Sequence, residues 1–358
     1  MNPLLQLNEQ GQSVWLDYIR RDFVTGGGLK KLVDEDGLAG QTSNLAIFEK
    51  AIGGGNEYAP AIRALRDSGL DAMGLYEALA IEDIRGAADL LRPVYERTQG
   101  RDGYVSLEVS PFLARDTAGT LTEARRLWTA VDRPNLMIKV PGTLEGMPAI
   151  ETLLAEGINV NVTLLFAVSF YEAVAERFLR ALETRAAAGK PVAGIASVAS
   201  FFVSRIDAAV DPYLPPPLHG KTAIANARLA YESYGHLFGG PRWKALAEKG
   251  AQPQRLLWAS TSTKNPAFRD VLYVEELVGR DTVNTLPPAT LDAFRDHGEV
   301  RESLAERGVA ARSTLAAVAG EGVSLGGVTE RLLNEGLDQF TAAFDKLLAA
   351  VEAARKSA

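Results

Sequence analysis

"LMIKVPGT", residues 136–143, sets one lysine inside a run of Leu, Met, Ile and Val and closes the run with Pro and Gly. A short apolar run bounded by turn residues reads as a buried strand. An ammonium buried there without a partner costs several kcal/mol. Two explanations compete for Lys139. An edge strand would let the lysine snorkel to water. Alternatively the amine is desolvated to serve as a nucleophile.

Seven further runs read as strands: 13–17, 39–44, 104–109, 159–164, 193–200, 255–261 and 281–286. Helical segments separate them. Thr120 and Glu123 have the spacing of a capping box ahead of "ARRLWTAV". Pro148 fits a first helical turn and Gly157 a helix end. Phe166, Phe170, Val174, Phe178 and Leu182 recur every four residues until Gly189 and Pro191. Eight strands alternating with helices predict an α/β fold, a (β/α)8 TIM barrel, over residues 1–358 as a single domain. A doubly wound open sheet is the alternative, but the glycine-rich first turn common in that class is missing. The long connections 45–103 and 201–254 read as helical insertions, and the chain from 300 onward as a helical tail. In that tail Phe340, Phe344, Leu347, Leu348 and Val351 form an apolar stripe expected to pack on the barrel.

Strand side chains alternate between faces. Val14 and Leu16 oppose Ser13, Trp15 and Asp17. Val105, Leu107 and Val109 oppose Ser106 and Glu108. Leu136, Ile138 and Val140 oppose Met137 and Lys139. Val160, Val162 and Leu164 oppose Asn159, Asn161 and Thr163. The aliphatic set suits the face under the helices, so the other set points into the barrel. Asp17, Glu108, Lys139, Asn161 and Thr163 thereby converge near the C-terminal strand ends, where barrel enzymes hold their active sites. Two acids, an amine and amides around one axis suit carbonyl chemistry through a Schiff base. The amine must be neutral to attack. Apolar neighbours favour that form and nearby carboxylates oppose it.

Composition narrows the alternatives. The 358 residues, 47% hydrophobic and 23% charged, have the balance of a soluble globular protein. A net charge of −7 argues against a nucleic-acid partner. The absence of cysteine excludes disulfides, thiol catalysis and cysteine metal sites. The three histidines, His219, His236 and His297, have no metal-ligand spacing and are expected at the surface. "LHGKTA" at 218–223 lacks the first glycine of a phosphate loop, with Pro215 in its place. With no leader-like N-terminus and no apolar run near 18 residues, the expectation is a cytoplasmic protein off the membrane.

The stretches "GLAGQTSNLAIFEKAI", "LYEALAIEDI", "SLEVSP", "LMIKVPGTLEG", "INVNVTLLF", "ASFFVSRID" and "LWASTSTKNP" occur in order between residues 37 and 266, within a likeness that runs from about residue 12 to 350. As a set they resemble the transaldolases, and most closely those of actinobacteria and cyanobacteria. The resemblance implies a cofactor-free barrel of the pentose phosphate pathway, a monomer or homodimer with sugar phosphates as partners. It would transfer a dihydroxyacetone unit from sedoheptulose 7-phosphate or fructose 6-phosphate to glyceraldehyde 3-phosphate or erythrose 4-phosphate.

Carried over by residue, the resemblance makes Lys139 the Schiff-base lysine and Asp17 the carboxylate that exchanges a proton with the C4 hydroxyl. Glu108 and Thr163 would manage a water during imine formation and hydrolysis. Asn44 and Asn161 would hold the dihydroxyacetone hydroxyls, with Ser200 and Phe202 near the imine. Arg205 and Ser260 would bind phosphate, and Lys264 would replace an arginine that relatives often carry. Leu45 stands where relatives usually have Pro, and Phe201 and Ser204 where they often have Pro and Gly. Two rivals share the barrel: a fructose 6-phosphate lyase and a sugar-phosphate binder without catalysis. Lyase relatives are usually shorter and tend to have Gln and Tyr where this chain has Glu108 and Phe202. A binder has no need of an amine beside two acids.

Overall fold

The computed structural model describes residues 2–43, 45–54, 57–305 and 307–357. Eight parallel strands close on themselves in chain order: β1 Gln12–Asp17, β2 Gly40–Thr42, β3 Tyr104–Glu108, β4 Leu136–Pro141, β5 Val160–Leu165, β6 Ser197–Phe202, β7 Arg255–Ala259 and β8 Thr282–Leu286. Helices follow the strands, and β1 pairs with β8 to complete the (β/α)8 barrel. Val105, Leu107, Ile138, Val140, Val160 and Val162 are buried in the hydrophobic core, on the face assigned to the helices. Both long connections are helical, including Ala72–Arg97 and Thr222–Gly239.

Several boundaries differ from the sequence reading by a residue or more, and three of the differences have a clear local reason. β6 begins at Ser197, not at 193, because Gly194 turns the chain with φ +80°. β7 stops at Ala259 because Ser260 takes a left-handed φ of +55°. The capping box at Thr120 and Glu123 does not form. Asp116, one turn earlier, accepts from the Gly119 N–H at 3.0 Å and starts helix Thr117–Val131. Thr120 lies inside that helix and donates to the Leu113 carbonyl, while Glu123 accepts from the Ser110 N–H. Gly157 ends helix Gly146–Glu156 at φ +103°, as its position suggested.

The N-terminal end of the barrel is plugged by a buried polar cluster. The Arg255 guanidinium donates to Ser13 at 2.7 Å, to Asp102 at 2.9 Å and to the Arg101 carbonyl at 2.6 Å. Ser13 and Trp15 also donate to Asp102, at 2.7 and 3.1 Å. β1, β7 and the turn before β3 are thus tied at one point, with the buried charges paired. Asp102→Ala leaves Arg255 buried without a counter-charge, so unfolding free energy should fall by about 3–5 kcal/mol. A loss under about 1 kcal/mol in urea titration, the size of a surface pair, would contradict this role.

Candidate active site

The C-terminal strand ends surround a cavity of about 350 Å³. Its lining includes Asp17, Glu108, Lys139, Thr163, Ser200, Phe202, Arg205, Ser260 and Lys264. These residues come from five strands and the segments after β6 and β7. Asn44 lies outside the described residues.

Lys139 and Glu108 form the floor. Glu108 and Lys139 are direct register partners on β3 and β4, so the pleat aims both side chains inward at one height. Lys139 Nζ donates to Glu108 Oε1 at 2.5 Å and to the Ser43 carbonyl at 3.2 Å. Both side chains are more than nine-tenths buried. Burial pushes the Glu108 carboxyl above the usual carboxylate range; Lys139 opposes that rise and Asp17 adds to it. Glu108 is therefore easier to protonate than an exposed glutamate, which suits a group that gives and takes a proton.

Thr42 donates to Asp17 Oδ1 at 2.9 Å, and Thr42 and Thr285 bridge their hydroxyls at 2.9 Å. Thr163 has a buried hydroxyl with no hydrogen-bond partner among the described residues. It lies within a register shift between Val162 and Leu165, and Leu164 beside it has φ +61°. A left-handed leucine is strained by about 1–2 kcal/mol, and strain of this kind concentrates at functional sites. Asn161 is the register partner of Lys139 but does not reach the cavity. It is fully buried and absent from the lining, donates to Ser106 at 3.0 Å, and accepts from Ser200 at 2.7 Å. Phe201 points to the outer face against Trp258, and the Ser204 hydroxyl meets that of Ser260 at 3.0 Å.

Two cations stand across the cavity from this floor. Among the described residues Arg205 makes no ion pair. Its guanidinium lies 5.3 Å from the centre of the Phe202 ring, which itself tilts against Phe166. Burial lowers the Arg205 pKa, opposed by Glu335. Lys264 bonds only to the Ser262 hydroxyl, at 3.1 Å, among the described residues. Most other arginines here are matched to carboxylates, as Arg242 is to Glu176 and Glu183. Uncompensated cations facing a cavity make an anion site.

Among the lining residues, the sequence reading missed Thr42, Thr285 and the C-terminal helix. Thr285 shares the inward parity of Trp15, its register partner, so extending the face analysis to β8 would have found it. The C-terminal helix Leu325–Ser357 supplies Gln339, Phe340 and Ala343 to the lining. Lys139 Nζ sits 5.7 Å from the centre of the Phe340 ring. An apolar stripe carries no sign of which of its members stops short of the core. The helix approaches closely because residue 336 is glycine: a Cβ there would lie 2.9 Å from Leu164 Cδ2.

His236 and His297 are exposed and His219 bonds to the Leu214 carbonyl. Among the described residues no three His, Asp or Glu side chains gather as metal ligands, and no helix is long and apolar enough to cross a membrane.

The family described as Transaldolase/Fructose-6-phosphate aldolase matches residues 14–351. The chain belongs to this family. It is 49% identical to a transaldolase of Thiobacillus denitrificans over 358 residues, 98% of this chain and 100% of that protein. It is 50% identical to a transaldolase of Thermobifida fusca over 355 residues, 97% and 96% of the two chains. A transaldolase of Trichodesmium erythraeum is 46% identical over 368 aligned positions, 98% and 97% of the two. An actinobacterial and a cyanobacterial protein are thus among its relatives.

If Arg205 and Lys264 bind phosphate, each contact is worth about 1.5–3 kcal/mol. Replacing either with Ala should raise KM for a phosphorylated acceptor about ten-fold or more, and hardly change that for unphosphorylated glyceraldehyde. Equal losses on both acceptors would remove the phosphate-specific role.

Proposed function

We propose that this barrel is a transaldolase of the pentose phosphate pathway, moving a dihydroxyacetone unit between sugar phosphates with Lys139 holding the unit as an imine. One observation carries the reading. A buried lysine paired to a buried glutamate lies at the floor of a cavity, and two uncompensated cations stand at the mouth.

The chemistry follows from those positions. With the donor phosphate at Arg205 and Lys264, the ketone reaches Lys139. The neutral amine adds to C2, and the keto oxygen leaves as water once protonated. Glu108 supplies that proton, and the free Thr163 hydroxyl orients the departing water. Asp17 then takes the proton of the C4 hydroxyl as the C3–C4 bond breaks. The electron pair moves into the imine, giving an enamine on Lys139, and the aldose phosphate departs. An incoming aldehyde reverses these steps, Asp17 returning its proton to the new hydroxyl. Water then restores the ketone and frees the amine. Ser200, with Asn44, holds the dihydroxyacetone hydroxyls. Asn161 acts through Ser200, because its own amide is occupied by Ser106 and Ser200.

The family contains both transferases and lyases, and Phe202 favours transfer. An apolar ring beside the enamine has no hydroxyl with which to activate water. Phe202→Tyr adds one polar group at similar volume. It should raise release of free dihydroxyacetone from fructose 6-phosphate and lower transfer to erythrose 4-phosphate. Both products are to be assayed on one preparation, with and without acceptor. Parent protein that releases dihydroxyacetone as fast as it transfers it would make the enzyme a lyase.

A further inference from the structure

Glu108 faces two cavities. One is the substrate cavity; the other lies behind it, outside the barrel wall, with a volume of about 10 Å³. That is close to the room one water occupies. Its polar lining is Tyr76, Glu77, Glu108, Ser110 and Glu123. The Ser110 hydroxyl is buried and has no hydrogen-bond partner among the described residues. Tyr76, held edge-on between Phe48 and Phe344, is buried too, and its phenol feels the charges of Glu108, Glu77 and Glu123. A buried water needs two to four polar partners, and this pocket offers them.

The small cavity adjoins the surface. Met73, Glu77 and Glu123 line both it and an open groove on the protein surface. At the groove Arg126 grips Glu77 at 2.8 Å and lies 4.0 Å from Glu123. Polar groups, Glu123, Tyr76 and Ser110, therefore line the space between that groove and Glu108.

Imine formation releases one water at Lys139 and imine hydrolysis consumes one. At each of these two steps a sugar phosphate occupies the cavity between Lys139 and the two cations and obstructs the mouth, which opens only between them as one aldose phosphate leaves and the next enters. We propose that this water enters and leaves through the small cavity behind Glu108. The inference rests on the imine reading above. It assigns Tyr76 and Ser110 as positioning residues that pass water to Glu108 without touching the sugar.

Oxygen isotopes test the route. The oxygen at C2 of the product ketose comes from the water that hydrolyses the imine. Transfer run in oxygen-18-labelled water therefore reports how often that water came from bulk, and an enzyme-free control removes spontaneous exchange. Ala80 is fully buried and lines the small cavity, so Ala80→Val closes it. The double change Tyr76→Phe with Ser110→Ala removes its hydroxyls without adding volume, should the valine variant fail to fold. Either variant should incorporate several-fold less label per transfer than the parent. A general loss of activity would not change that ratio. An unchanged ratio in a folded variant overturns the route, and so does a parent that transfers without enzyme-dependent labelling. Borohydride trapping on the same preparations reports the imine separately: trapping with an unchanged ratio rejects the route alone, and no trapping rejects the imine.

Discussion

A carboxylate and an ammonium 2.5 Å apart, each more than nine-tenths buried, form the contact on which the site turns. Neither charge is tolerable there alone. The pair fixes the register of β3 against β4, because a slip of one residue would turn Glu108 or Lys139 to the helix-covered face. It also couples charge to chemistry. When Lys139 becomes neutral, Glu108 loses the partner that opposes its protonation, and burial and Asp17 then favour proton uptake. In the proposed imine chemistry, deprotonation of Lys139 and protonation of Glu108 are one event within a single hydrogen bond.

The rest of the molecule holds that pair in place and closes the space above it. The Arg255–Asp102 plug fixes the opposite end of the barrel. The C-terminal helix spans the mouth, bringing Phe340 over Lys139 and, at Gly336, packing against Leu164 and within 3.7 Å of the Arg205 guanidinium for an added Cβ. An element more than a hundred residues from either arginine or lysine in the chain therefore shapes the cavity between them.

Much of this was legible in the sequence. All eight strands and the barrel follow from short strand-like runs alternating with helical segments, and the inward set Asp17, Glu108, Lys139 and Thr163 from period-two alternation, because one covered face forces strict parity. Asn161 has the same parity but does not line the cavity, because its amide is engaged by Ser106 and Ser200, and parity gives a face without its partners. Elements end where backbone dihedrals change sign, at Gly194 and Ser260, and a serine gives no warning of a left-handed φ. Phe340 was read with Phe344 and Val351 as one stripe, although Phe344 and Val351 are buried in the core and Phe340 only partly so. The plug escaped notice because Asp102 precedes its strand, where alternation carries no information.

Peptide mapping after borohydride reduction tests the central assignment most directly. The folded protein, incubated with fructose 6-phosphate and reduced, should carry one reduced three-carbon unit, located on the peptide that contains Lys139. Lys139→Arg should carry none and show no turnover, because a guanidinium does not form the imine. A three-carbon unit on any other lysine, or retained turnover in the arginine variant, would contradict the account.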